Sequence, residues 1–152
     1  IMEKIENNSK EFKSSLMNKA LSYISKFSTT ESKLRSNLNS YSEKFFSEIK
    51  RELLQNEINY ILNRCKELGY IDDETYAKNK IEKFINAGKS KKYIILKLQS
   101  YGISGEIIEN SLEKFFDKFS NNDFLAALNF ARKKKIGPFY QKSFDEKSNL
   151  LN

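Results

Sequence analysis

The sequence predicts an all-α protein, built from tandem three-helix repeats that form an elongated, curved helical array. Three observations carry that prediction. Apolar residues recur at helical spacing along most of the chain, with no strand-like alternation to compete. Four of the five glycines, Gly69, Gly88, Gly102 and Gly137, stand where a helix should end. The pattern also repeats: placing Leu62 on Leu112 brings Asp73 onto Asp123 and Ala77 onto Ala127, a period of about 50 residues, within the range of repeat architectures. Upstream, Ala20, Ile24 and Phe27 match Ala77, Ile81 and Phe84, and Leu34 and Leu38 match Ile94 and Leu98 after a slightly longer turn. A repeat of this kind cannot bury its apolar stripe alone. Neighbours must stack, and the stacked body offers broad faces of the sort that bind macromolecules.

The elements follow in order. A first helix carries Phe12, Leu16, Ala20, Ile24 and Phe27 on one stripe. The second opens at Ser28-x-x-Glu31, which has the form of a capping box, with Thr30 as a competing cap. Residues 40–50, with Tyr41, Phe45, Phe46 and Ile49, extend that helix or form an insertion before the third. The third helix, with Leu54, Ile58, Ile61, Cys65 and Leu68, stops at Gly69. Asp72-Asp73-Glu74 sets acids at the positive end of a fourth helix, which ends near Gly88. Ser90 opens the fifth and Ser104 the sixth, whose stripe is Ile107, Ile108, Leu112, Phe115, Phe116 and Phe119. Asn121-Asn122-Asp123 opens a seventh, closed by Gly137 and the only proline, Pro138. The repeats are therefore placed at 12–70, 71–120 and 121–152. Residues 139–152 are too few for two further helices, so the third repeat is expected to be incomplete and, with Ile1 ahead of Met2, the chain to be a piece of a longer protein.

A hydrophobic content of 39%, including 12 Phe and 8 Tyr, is enough to build a core. No apolar run approaches the roughly 18 residues that a membrane span needs. The first ten residues hold acids and amides where a signal peptide would be apolar, so a cytoplasmic location is expected. The single cysteine, Cys65, agrees, because it has no internal partner for a disulfide. Charge narrows the partner: 27 Lys and Arg against 20 Asp and Glu give +7, which favours nucleic acid, an acidic protein face or anionic lipid. The excess is local. Between residues 78 and 97 stand Lys78, Lys80, Lys83, Lys89, Lys91, Lys92 and Lys97 against Glu82 alone, and Arg132-Lys133-Lys134-Lys135 forms a second block. Any one lysine is as readily a solvated surface charge; two blocks on successive repeats are harder to explain that way.

Catalytic chemistry finds little to stand on. The absence of histidine removes the usual general base and metal ligand, and a lone cysteine removes Cys-rich zinc sites. Neither phosphate-cradling glycine fingerprint is present. The carboxylate pairs Asp72 with Asp73 and Glu106 with Glu109 have a simpler task at helix starts, and Cys65, within its apolar stripe, reads as a buried thiol. The chain is expected to be no enzyme and to need no cofactor or metal. The helix–turn–helix at 90–119, turning at Tyr101-Gly102-Ile103-Ser104, invites a DNA-reading role. Its second helix carries Glu106, Glu109, Glu113 and Asp117 against Lys114 and Lys118, with no arginine for guanine edges, and would meet phosphates with net repulsion.

The run Leu68-Gly69-Tyr70-Ile71-Asp72-Asp73-Glu74-Thr75-Tyr76-Ala77 resembles the signature of RecX regulatory proteins. Ala20-Leu21-x-Tyr23-Ile24 and Ser32-x-Leu34-Arg35-x-x-Leu38 look like the family's opening helix pair. Ile94-x-x-Lys97-Leu98-x-x-Tyr101-Gly102-Ile103 is similar to its second-unit helix with a Gly-Ile turn, and Ala127-x-x-Phe130-Ala131-Arg132-Lys133-Lys134 to the start of a third unit. The resemblance runs in order over roughly residues 18–139. It implies a monomeric modulator of the RecA recombinase, acting in DNA recombination, repair and the SOS response. Such proteins associate with RecA or its nucleoprotein filament, and generally restrain ATP hydrolysis and strand exchange by bridging subunits or obstructing the path of duplex DNA. The residues expected to meet the partner are Lys33, Arg35, Lys89, Lys91, Lys92, Lys97, Arg132, Lys133, Lys134 and Lys135. Weak DNA binding is expected besides. Two other readings stand beside this one: a non-sequence-specific DNA-binding helical repeat, and a structural adaptor with no nucleic-acid role.

Overall fold

No glycine or proline interrupts the chain before Gly69, so nothing local forbids helix over that stretch and only caps and packing divide it. The computed structural model describes residues 1–118. Six helices fill them: α1 (Met2–Lys26), α2 (Glu31–Phe45), α3 (Arg51–Glu67), α4 (Asp73–Asn86), α5 (Lys91–Ser100) and α6 (Gly105–Lys118). No strand occurs among the described residues, and the expected all-α class is the one observed. The seventh helix, the stretch 121–152 and the block Arg132-Lys133-Lys134-Lys135 lie outside the described residues. The chain divides between Asp72 and Asp73 into two compact units, one holding α1–α3 and the other α4–α6.

In the first unit Phe12, Leu16 and Ala20 of α1, Leu34 and Leu38 of α2, and Leu54, Ile58, Ile61, Leu62 and Cys65 of α3 close around one core, with Ile71 sealing its end. α1 runs about three turns beyond its first buried residue, Phe12, and those turns are exposed at Met2, Glu3 and Lys4. Of the two candidate caps, Thr30 opens α2: its hydroxyl accepts the Lys33 backbone N–H at 3.3 Å. Ser28 is left outside the helix and exposed. Glu31 becomes the first residue of α2, and its carboxylate meets Arg35 at 3.8 Å and Lys66 at 3.0 Å. Residues 40–50 divide between the two expectations: α2 continues to Phe45, after which the chain turns and Phe46 packs its ring 6.2 Å from Phe12 and 6.0 Å from Tyr41.

Two stripe assignments need correction. Phe27 is 55% exposed and Leu68 is 49% exposed. Each sits one residue past a helix, as the C-cap of α1 and α3: at Phe27 the backbone turns extended and carries the side chain off the stripe, whereas Leu68 keeps helical φ and ψ and is exposed where the chain turns away at Gly69. Phe27 keeps a ring contact with Tyr23 at 5.1 Å. Its counterpart Phe84 lies two residues inside α4 and stays packed on the core of its own unit.

The second unit buries Tyr76, Ala77, Ile81 and Ile85 of α4, Ile94 and Leu98 of α5, Ile103 of the turn, and Ile108 and Leu112 of α6. The matched pairs Ala20 and Ala77, Leu34 and Ile94, and Leu38 and Leu98 are all fully buried at 0% exposure.

α3, α4 and α5 terminate alike. At the end of α3 the Gly69 N–H bonds the Lys66 carbonyl at 3.0 Å and the Tyr70 N–H bonds the Cys65 carbonyl at 2.8 Å, which takes up carbonyls the helix leaves unpaired. The geometry requires Gly69 at φ 75°, in the left-handed region. A Cβ built there would have nothing within 4 Å, so strain alone opposes a side chain. Gly69→Ala is expected to lower stability by about 1–2 kcal/mol, with helical content unchanged. Thermal melts of the two proteins check this; an unchanged melting point would mean that the turn relaxes to another conformation.

Candidate functional site

Residues four apart stack on one face of a helix, so Tyr76, Lys80 and Phe84 form a stripe on α4 and Tyr93, Lys97 and Tyr101 form one on α5. The turn after Gly88 returns the chain alongside itself, and the two stripes meet in opposite directions. Tyr76 meets Tyr101 edge to face at 5.8 Å and 84°, and Phe84 meets Tyr93 at 5.5 Å and 85°. These are the favoured arrangements for ring quadrupoles. The register puts Lys80 and Lys97 at one level between the two ring pairs, where they lean apart. The Lys80 ammonium lies 5.5 Å from the Tyr76 centroid and 5.6 Å from that of Tyr101. The Lys97 ammonium lies 5.7 Å from Tyr93, and Lys89, from the turn before α5, reaches the same ring at 4.9 Å. Each such contact stabilises the ammonium position by about 0.5–1 kcal/mol at an exposed site.

The ten residues expected to meet a partner are distributed unevenly. Lys89 and Lys97 join this cation–aromatic face. Lys91 and Lys92 are exposed on the first turn of α5, and Lys91 lines a groove toward α6 opposite Glu109 and Glu113. Lys33 and Arg35 lie in the other unit on α2. The Arg35 guanidinium donates to Asn59 Oδ1 at 2.7 Å and flanks Glu31, so part of its bonding capacity is spent within its own unit. Arg132, Lys133, Lys134 and Lys135 fall outside the described residues. Lys80 and the rings Tyr76, Tyr93 and Tyr101 were missing from the expected set. The signal was present as aromatic–Lys–aromatic at spacing four on both helices, but aromatic stripes more often mean core, and only the α4–α5 pairing shows these rings carrying cations.

On α6, Glu106, Glu109 and Glu113 are exposed. Glu74 lies 3.8 Å from Lys114, at the edge of a cavity of about 160 Å³ between α4 and α6. α5, with Lys91, Lys92 and Lys97, carries no acid, whereas α4 and α6 each hold both signs. Among the described residues no helix is long and apolar enough to cross a membrane.

Cys65 is 1% exposed, and burial pushes its thiol above the usual 9.0. The thiolate is the reactive form, so native Cys65 should react with iodoacetamide far more slowly than the same residue in urea, at a rate that follows local or global opening. Labelling as fast in the native protein as in the denatured one would place Cys65 at the surface.

No family model matches the chain. Among curated proteins it is 30% identical over 127 residues to a "Regulatory protein RecX" of Myxococcus xanthus, an alignment covering 82% of this chain and 66% of that protein. It is 35% identical over 77 residues to a "Regulatory protein RecX" of Agrobacterium fabrum, covering 51% of this chain and 39% of that protein. The chain therefore spans just under two thirds of the length of the first relative and well under half of the second.

Proposed function

The chain belongs to the RecX family of regulatory proteins, and on that premise we propose that it binds the RecA recombinase or its nucleoprotein filament and restrains ATP hydrolysis and strand exchange. The observation that supports this best is the row of Lys80, Lys89 and Lys97 held on tyrosine faces across α4 and α5. Such a row suits an extended anionic partner, and in this reading the protein acts by occupying the filament. In this reading the two units are successive three-helix repeats, 12–70 and 71–120, with a third beginning at 121. The protein works as a cytoplasmic monomer in the control of recombination, repair and the SOS response. Lys91 and Lys92 extend the contact surface of the second unit, and Lys33 and Arg35 contribute contacts from the first. The acid-free α5 also favours a second reading, a DNA-binding helical repeat without sequence preference, because its lysines present point charges where arginines would present a fork for base edges.

The deciding measurement is RecA-dependent ATP hydrolysis on single-stranded DNA as this protein is titrated. Hydrolysis is expected to slow at substoichiometric to stoichiometric amounts. Unchanged hydrolysis, together with failure to retain RecA in a pull-down with and without DNA, would leave only the DNA-binding reading.

A further inference from the structure

Glu74, Lys78 and Glu82 follow one another at spacing four on α4, so they share one face of that helix. With Ile81 they form one wall of the cleft toward α6, whose Ser111, Lys114 and Phe115 form the other. The cleft holds about 160 Å³, and a cavity of that size accepts a benzene ring. Its depth is apolar: Ile81 is 1% exposed, and Phe115 is half-buried against the core of the unit. Glu74 is engaged by Lys114 at 3.8 Å. Among the described residues neither Lys78 nor Glu82 has an ion-pair partner, and the Ser111 hydroxyl has no hydrogen-bond partner. Helix order accounts for the unpaired charges. A lysine four residues before a glutamate is the poorer arrangement, and Glu74, on the better side of Lys78, is drawn toward α6. Glu82 is half-buried, where a carboxylate without a partner costs more than at an open surface.

We propose that this cleft binds a small zwitterion, an α-amino acid with a compact apolar side chain such as a single aromatic ring. The ring lies against Ile81 and Phe115, the carboxylate meets Lys78 and the ammonium meets Glu82. Side chains four apart on a helix start about 5–6 Å from one another, so two opposite charges carried on one carbon fit between their ends. The Ser111 hydroxyl, on the facing wall, adds a hydrogen bond from the other side. A zwitterion satisfies both unpaired charges at once, whereas an aromatic acid, an aromatic amine or the end of a peptide leaves one of them without a partner. The assignment lies beyond the regulatory reading and does not depend on it.

Titration of the full chain, labelled with ¹³C at its isoleucine methyl groups, with L-phenylalanine tests this by NMR. The Ile81 signal, identified from its loss in Ile81→Val, should move and saturate with a Kd of about 1 mM, the strength expected of roughly a dozen ligand atoms. L-phenylalanine amide, which lacks the carboxylate, and N-acetyl-L-phenylalanine, which lacks the ammonium, should each bind about threefold more weakly, the scale of one exposed ion pair. Glu82→Gln should weaken L-phenylalanine by the same factor and leave the N-acetyl form unchanged; Lys78→Gln should do so with the amide form unchanged. Ser111→Leu, which fills the cleft, should abolish the Ile81 shift, and circular dichroism verifies the fold of each variant. No saturable shift in the parent at about 20 mM, twenty times the expected Kd, would overturn the assignment. So would undiminished binding by Ser111→Leu, which would put the ligand elsewhere, or three ligands that bind alike, which would make the cleft a site for the ring alone. Were the parent to bind none of them while Ser111→Leu lost its effect on RecA hydrolysis, the cleft would hold a side chain of the recombinase, and the amino-acid assignment would fall while the regulatory reading stood.

Discussion

Leu38→Ala should destabilise the protein by about 3 kcal/mol, the middle of the range for emptying a fully enclosed leucine site. Leu38 is 0% exposed, and its unit closes around it with Leu16, Leu34, Ile58 and Leu62, all equally buried. Three helices meet at this point, so the remaining side chains would have to move three backbones together to refill the space, and most of the cavity should persist. Against a total of about 5–15 kcal/mol for an ordinary domain, the loss is large enough to shift a urea midpoint well outside error. Leu53→Ala on α3 is the matched control. Leu53 is 52% exposed, and its truncation should cost no more than about 0.5 kcal/mol. Equal midpoints for the two variants would mean that the core does not run through α2 as described.

Reversing Lys89, Lys91, Lys92 and Lys97 to glutamate should weaken binding to the RecA filament by about 10- to 100-fold at low salt, with the gap to the parent closing as salt rises, because contacts made by counterion release lose their advantage in that order. The control must change net charge equally elsewhere. Lys66 and Lys114 do not serve, since reversing them would set a carboxylate against Glu31 and Glu74. Lys4, Lys10, Lys13 and Lys26, all exposed on α1, do serve. If the two quadruple variants bound equally poorly, the attraction would be a property of the overall charge and the α5 lysines would have no special place. Salt-independent loss in the α5 variant alone would point to a disturbed fold, which Tyr93 packing and helicity would report.

The helix ends were legible because each obeys a rule confined to a few neighbouring residues. Gly69, Gly88 and Gly102 take a positive φ that side chains resist, and Ser90 and Ser104 offer an oxygen to an N–H three residues on. The stripes were legible where they lie well inside a helix, as at Leu16, Ile58 and Leu112. They failed at Phe27 and Leu68, the C-caps of α1 and α3, where the stripe runs past the end of its helix. Family membership was also readable from the chain, through the Leu68–Ala77 run and its flanks. What only the tertiary structure decided is pairing. That Thr30 and not Ser28 caps α2, that Phe46 turns back onto Phe12, and that Lys80 and Lys97 stand level between two ring pairs all depend on which helix comes to lie against which. Local rules act through the backbone of one segment and are written in it, whereas a cation–aromatic face exists only when two segments distant along the chain share a surface.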